Sequence, residues 1–129
     1  MLWRVLNRQD VPKALKMVLV VRGDLRLSKG KTSSQCAHAA VMCFEESLST
    51  RRPFVDAWKL QGQPKVVLKV ENDEEMKKLY QMAKKQKIVA CLVHDAGRTE
   101  IPSGTMTVLG LGPDCSEKLR EIVGKLKIL

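Results

Sequence analysis

A chain of 129 residues is long enough to bury one hydrophobic core without disulfide or metal staples, and too short for two ordinary domains. With 44% hydrophobic and 29% charged residues it is neither disordered nor membrane-like, and no apolar run approaches the roughly 20 residues that span a bilayer. Twenty-three Lys and Arg against 14 Asp and Glu leave +9, a balance that favours a polyanionic partner such as nucleic acid over a merely solvated basic surface. The excess is uneven: residues 1–31 hold eight basic and two acidic side chains, hence six of the nine net charges.

Residues 1–15 are basic and interrupted by Pro12, and are read as a leader or extension ahead of a domain over 16–129. Met17 to Val21 is an unbroken apolar, largely β-branched run, as expected of a strand covered on both faces. A loop rich in cations follows, with Arg22, Arg26, Lys29 and Lys31, and with Gly23 and Gly30 easing the backbone. From Thr32 the period changes. Cys36, Ala39, Ala40, Cys43, Phe44, Ser47 and Leu48 form one helical stripe, and Thr32 with Gln35 three residues on fits a capping box. A positive loop thus opens onto a helix N-terminus, which is an arrangement that attracts anions.

Pro53 suits the first turn of a short helix seated by Phe54, Val55 and Trp58, and Gly62 and Pro64 break it. KVVLKV over 65–70 reads as the second strand. Asn72 or Asp73 caps a third helix with Met76, Leu79, Tyr80 and Ala83 inward and Lys84, Lys85 and Lys87 at its C-terminal end, where the macrodipole favours cations. Ile88 to Val93 is the third strand, ending at His94 and Asp95. After a loop with Gly97 and IPSG (101–104), Met106 to Leu111 is the fourth, ended by Gly110, Gly112 and Pro113. Ser116 or Asp114 caps a last helix with Leu119, Ile122 and Val123 inward and Gly124 past its end, and the tail KLKIL alternates enough to add an edge strand. The expected fold is α/β, with a mixed sheet of four to five strands, because the link from 95 to 105 is too short for a helical crossover.

Three constellations bear on chemistry. Gly30, Lys31 and Thr32 imitate the end of a Walker A loop, but Leu25 stands where its first glycine belongs, so the spacing excludes it. Lys31 leaves strand one and Asp95 ends strand three; as parallel neighbours these strands would bring both side chains to one crevice. There an ammonium keeps the carboxylate ionised, the carboxylate can deprotonate a water, and the ammonium and helix amides can stabilise an oxyanion. The same spacing also suits a structural salt bridge. His38 is read as a hydrogen-bonded, half-buried residue and His94 as pointing to the other face, so no Ser-His-Asp arrangement is expected. Cys36, Cys43, Cys91 and Cys115 lack ligand spacing with His38 or His94 and are read as small reduced core residues of an intracellular protein, with no metal site.

The segments KMVLVVRGDLRLSKGKTSSQCAHAAV, GQPKVVLKV, HDAGRTEIPSGTMTVLGLGP and GKLKIL agree in order and spacing with the archaeal and eukaryotic type II peptidyl-tRNA hydrolases, which the chain resembles over about residues 16–129. The resemblance implies a three-layer α/β/α sandwich that hydrolyses the ester joining a peptide to tRNA, with no cofactor or metal. It places the family's motif lysine on Lys31 and its aspartate on Asp95. It further implies that Thr99 assists at the reacting water, that Gln35, His38 and Thr105 line or support the crevice, and that Lys29 and Arg98 contact acceptor-end phosphates. Ser28 stands where many members carry glycine, and Ser33 and Ser34 where they carry alanines. The rival reading is a non-catalytic tRNA- or RNA-binding adaptor on the same fold. The expected setting is cytoplasmic, with a mitochondrial one as the other reading, and a homodimer is left open.

Overall fold

The computed structural model describes residues 11–96 and 101–129. Among these, five strands and four α-helices follow one another as β1 (Leu15–Arg22), α1 (Lys29–Thr50), α2 (Arg52–Leu60), β2 (Lys65–Val70), α3 (Asp73–Lys85), β3 (Ala90–His94), β4 (Met106–Cys115), α4 (Ser116–Val123) and β5 (Lys127–Ile128). The strands form one mixed sheet in the order β3-β4-β1-β2-β5. β1 and β2 are parallel, whereas β4 runs antiparallel to both β1 and β3, and β5 antiparallel to β2.

Alternation along β1 divides the core in two. Leu15, Met17, Leu19 and Val21 pack with Ala39 and Cys43 of α1 and Trp58 of α2 on one face. Val18 and Val20 pack with Met76, Leu79 and Ala83 of α3 and Leu119, Ile122 and Val123 of α4 on the other. Both faces are buried, which explains the unbroken apolar run, and the result is the expected three-layer α/β/α sandwich.

Several local expectations are corrected. α1 begins at Lys29, three residues before Thr32, and its N-cap is Ser28, whose Oγ accepts a hydrogen bond from the Lys31 amide at 3.2 Å. A serine N-cap satisfies an end amide earlier in the chain, so Thr32 and Gln35 form no capping box and Lys31 lies in the first helical turn instead of the loop. β3 starts at Ala90, not Ile88. β4 continues through Gly110, Gly112 and Pro113 to Cys115. It does so because its register against β1 shifts between Lys16 and Val18, opposite this dipeptide, and an irregularity of this kind accommodates a proline without a ladder donor. The cap before α4 is Cys115 without a side-chain bond, and Gly124 is right-handed helical instead of a left-handed stop. By contrast, Asn72 does cap α3, accepting from the Glu75 amide at 2.9 Å.

Asp114 supplies a pH test of the fold. It is 2% exposed, and its Oδ1 accepts a hydrogen bond from the Cys115 amide at 2.6 Å. Burial pushes its carboxyl above the ordinary value of 3.8, outweighing that amide and the nearby Lys118 and Arg51 charges. The folded state therefore binds this proton more tightly than the unfolded chain. The group's contribution is most favourable below 3.8 and is lost as pH rises through the folded value. Asp114→Asn keeps an acceptor for the Cys115 amide and removes the buried charge. Thermal denaturation should show it more stable than the parent at neutral pH, with the difference vanishing below the ordinary carboxyl value.

Candidate active site

At the carboxyl ends of β1 and β3, the first turn of α1 passes over the sheet. The strands are codirectional but not neighbours, since β4 lies between them. α1 bridges the gap because it lies across β4 and β3. Lys31 thereby reaches over β4, and its Nζ ion-pairs with Oδ1 of Asp95 just past the end of β3. The carboxylate side chain is 1% exposed and the lysine 13%, so the pair is largely buried, with the lysine side chain the more accessible of the two.

Asp95 is held through its backbone. Its amide donates to the Thr105 carbonyl at 2.8 Å, and its own carbonyl accepts from the Gly104 amide at 2.8 Å. Next to it the β3–β4 register shifts between Val93 and His94. The shift leaves Thr107 as an extra residue, since Val93 faces Val108 and His94 faces Met106. Bulges re-aim side chains in this way, often beside functional sites. Here the Thr107 hydroxyl accepts from Gln35 Nε2 at 2.7 Å and donates to the Val93 carbonyl at 3.3 Å, all in a buried position. Gln35, one turn beyond Lys31, thus ties α1 to the strand pair that carries Asp95. Thr107 was not among the residues singled out from the sequence, although a lone polar residue inside an apolar strand is a readable signal.

The remaining candidates divide. Lys29 is exposed at the first position of α1, where no acidic residue occupies the first turn, so the helix end is electropositive. His38 is exposed on α1 instead of half-buried. An exposed imidazole there costs nothing in desolvation, and the stripe on this helix centres on Gln35, Ala39, Cys43 and Ser47. Thr105 is half-buried, and its hydroxyl donates to the Pro102 carbonyl at 2.7 Å within its own turn. Arg98 and Thr99 lie outside the described residues. At the end of β1, Arg22 is braced by Asp24 at 2.7 Å and donates to the Met106 carbonyl at 3.2 Å. Hydrogen bonding within this pair raises the guanidinium and lowers the Asp24 carboxyl.

The four cysteines are free thiols. Cys43 is raised well above the ordinary thiol range by its hydrogen bond with Cys91 and by burial, and Cys36 is raised by burial, so these are packing residues and not nucleophiles. Among the described residues, no cluster of three or more His, Cys, Asp or Glu side chains is arranged to hold a metal ion, and no helix is long and apolar enough to cross a membrane.

Comparison with known proteins covers nearly the whole domain. The family model described as Peptidyl-tRNA hydrolase PTH2 matches residues 15–129. A peptidyl-tRNA hydrolase of Methanopyrus kandleri is 44% identical over 114 residues, covering 88% of this chain and 97% of the relative. That of Thermoplasma acidophilum is 45% identical over the same shares. The human peptidyl-tRNA hydrolase 2, mitochondrial, is 41% identical over 88% of this chain, which spans 63% of that relative's length. A solved structure of an Agrobacterium protein of unknown function superposes with a TM-score of 0.54 at 12% identity, covering 89% of this chain and 97% of the other, a likeness of fold alone.

Proposed function

The chain belongs to the peptidyl-tRNA hydrolase PTH2 family and hydrolyses the ester bond of peptidyl-tRNA, releasing tRNA and peptide as in the clearing of stalled or abandoned translation; we propose that Lys31 and Asp95 carry that reaction. The observation that supports this reading is the ion pair at the crevice wall, formed across β4 by residues 64 positions apart. A water against the Asp95 carboxylate attacks the ester carbonyl carbon as its proton passes to that carboxylate. The Lys31 ammonium and the α1 N-terminal dipole stabilise the oxygen that becomes negative. The bond from the carbonyl carbon to the terminal ribose oxygen then breaks, and that oxygen takes the proton from the Asp95 carboxyl. Gln35 positions α1 through Thr107. Thr99 is proposed to hold the water.

Lys29 and Arg98 are proposed to meet acceptor-end phosphates, and His38 and Thr105 to border the crevice. Phosphate contacts position without reading sequence and weaken with salt. We assign the catalytic unit to residues 16–129. A cytoplasmic setting is proposed on the four free thiols, which suit a reducing compartment. The adaptor reading has no support in the relatives or in the described geometry.

The direct test is to incubate the purified chain with peptidyl-tRNA and follow deacylation over a series of salt concentrations. Ester cleavage with a KM that rises with salt is the expected result. Tight binding without cleavage would sink the hydrolase reading.

A further inference from the structure

On the opposite face of the sheet from the Lys31–Asp95 pair, but at the same end of it, lies a groove of about 590 Å³ between α3 and the tips of β1, β3 and β4. Its chemistry is mixed. Leu92 and Met106 give it an apolar floor, Tyr80 and His94 contribute flat rings, and Arg22 and Lys77 contribute cations. Asp73 also faces it, 3.9 Å from the Lys77 ammonium. The volume is within the range of small-molecule sites, whose walls are mainly apolar with a few placed polar groups.

The groove is physically joined to the hydrolytic centre. His94 immediately precedes Asp95, and strand alternation sends the two side chains to opposite faces. Thr105 lines the groove while its carbonyl holds the Asp95 amide. Arg22 is already oriented, braced by Asp24 and by the Met106 carbonyl. A ligand in the groove therefore lies against Thr105 and His94, the backbone that holds Asp95 in place.

Resting on the hydrolase reading, we propose that this groove is a subsite for a nucleotide of the tRNA acceptor end, next to the ester. Rings for stacking, cations for phosphate and a carboxylate able to accept from a ribose hydroxyl or an exocyclic amine match a nucleotide part by part. A peptide segment would use the floor, whereas a phosphate would give Arg22 and Lys77, paired here with Asp24 and Asp73, a second anionic partner. The peptide is assigned to the other side of the ester.

The test uses Lys77→Ala and His94→Ala, both at exposed positions where folding is not at risk. Titration of the parent with the trinucleotide CCA, followed by NMR, should shift resonances of Tyr80, His94 and Leu92. Each variant should weaken CCA binding and raise KM for peptidyl-tRNA by about fivefold to tenfold, in line with the loss of one stacking or phosphate contact. The loss should appear in KM and not in kcat. Parent-like KM in both variants, or shifts confined to the Lys31 side of the sheet, would overturn the subsite. A KM defect that follows peptide length, and is unchanged when the CCA end is altered, would overturn it in favour of a peptide groove. A parent that leaves peptidyl-tRNA intact would instead refute the hydrolase reading itself, so the two failures are distinguishable.

Discussion

Asp95→Asn should lower kcat/KM for peptidyl-tRNA by about 10³-fold, the scale of losing a general base, while the protein stays folded. The substitution keeps the shape of the side chain and its backbone tethers to Thr105 and Gly104. It also leaves the Lys31 ammonium, on a side chain 13% exposed, without its carboxylate, so stability should fall modestly while the fold holds. Lys31→Ala should behave differently in one respect. Its activity loss should be about 10²- to 10³-fold, the usual cost of removing an oxyanion donor. Its stability should fall further, because the charge left unpaired is then the Asp95 carboxylate, the more deeply buried of the two, and truncating one partner of a buried pair costs several kcal/mol. Steady-state kinetics with thermal melts separates these outcomes. A stable, fully active Asp95→Asn protein would remove the carboxylate from the mechanism.

The second large effect is expected far from the ion pair, at Gly110. This residue lies in mid-β4 between Leu19 and Cys91, beneath α1. A Cβ added there would come within 2.6 Å of Cys43 Sγ, 3.2 Å of the Ala39 carbonyl oxygen and 3.3 Å of Ala39 Cβ. The thiol can turn, but the Ala39 backbone cannot move without lifting the helix. Gly110→Ala should therefore cost about 1–3 kcal/mol, as overpacking of a close-packed core does. It should also lower activity more than its stability loss explains, because α1 carries Lys31 and Gln35. Cys43→Ala in the same chain should recover part of the stability and leave the Ala39 clash in place. Chemical denaturation checks both steps, and a Gly110→Ala protein as stable as the parent would show that α1 does not bear on β4 there.

Much of this architecture is legible in the sequence because the inner strands, unlike the exposed edge strand β5, are largely covered on both faces. Met17–Val21 and KVVLKV announce themselves as apolar runs, and the short 95–105 link correctly makes β3 and β4 antiparallel. What stayed hidden is non-local. Nothing in local pattern says that β4 inserts between β1 and β3, so the Lys31–Asp95 meeting was expected from the wrong neighbour relation. It happens instead because α1 lies across the intervening strand. The start of α1 was misplaced because Gly30 and Thr32 favour a loop and a cap, whereas Ser28 takes the cap earlier. Gly110 reads as a strand stop and is a packing notch, a difference visible only once the helix above it is known. Gln35 was placed at the crevice by resemblance. Its partner Thr107 required the register shift between Val93 and His94, which no single-sequence pattern encodes.

The idea that Lys31 and Asp95 act as one hydrolytic unit is tested most directly by a double-mutant cycle on kcat/KM, comparing the parent, Lys31→Ala, Asp95→Asn and the combined variant. Groups that serve one transition state are strongly non-additive, so the combined variant should be about as impaired as the worse single one. Losses that multiply would contradict the account, because the two residues would then contribute independently and the pair at the crevice wall would be structural.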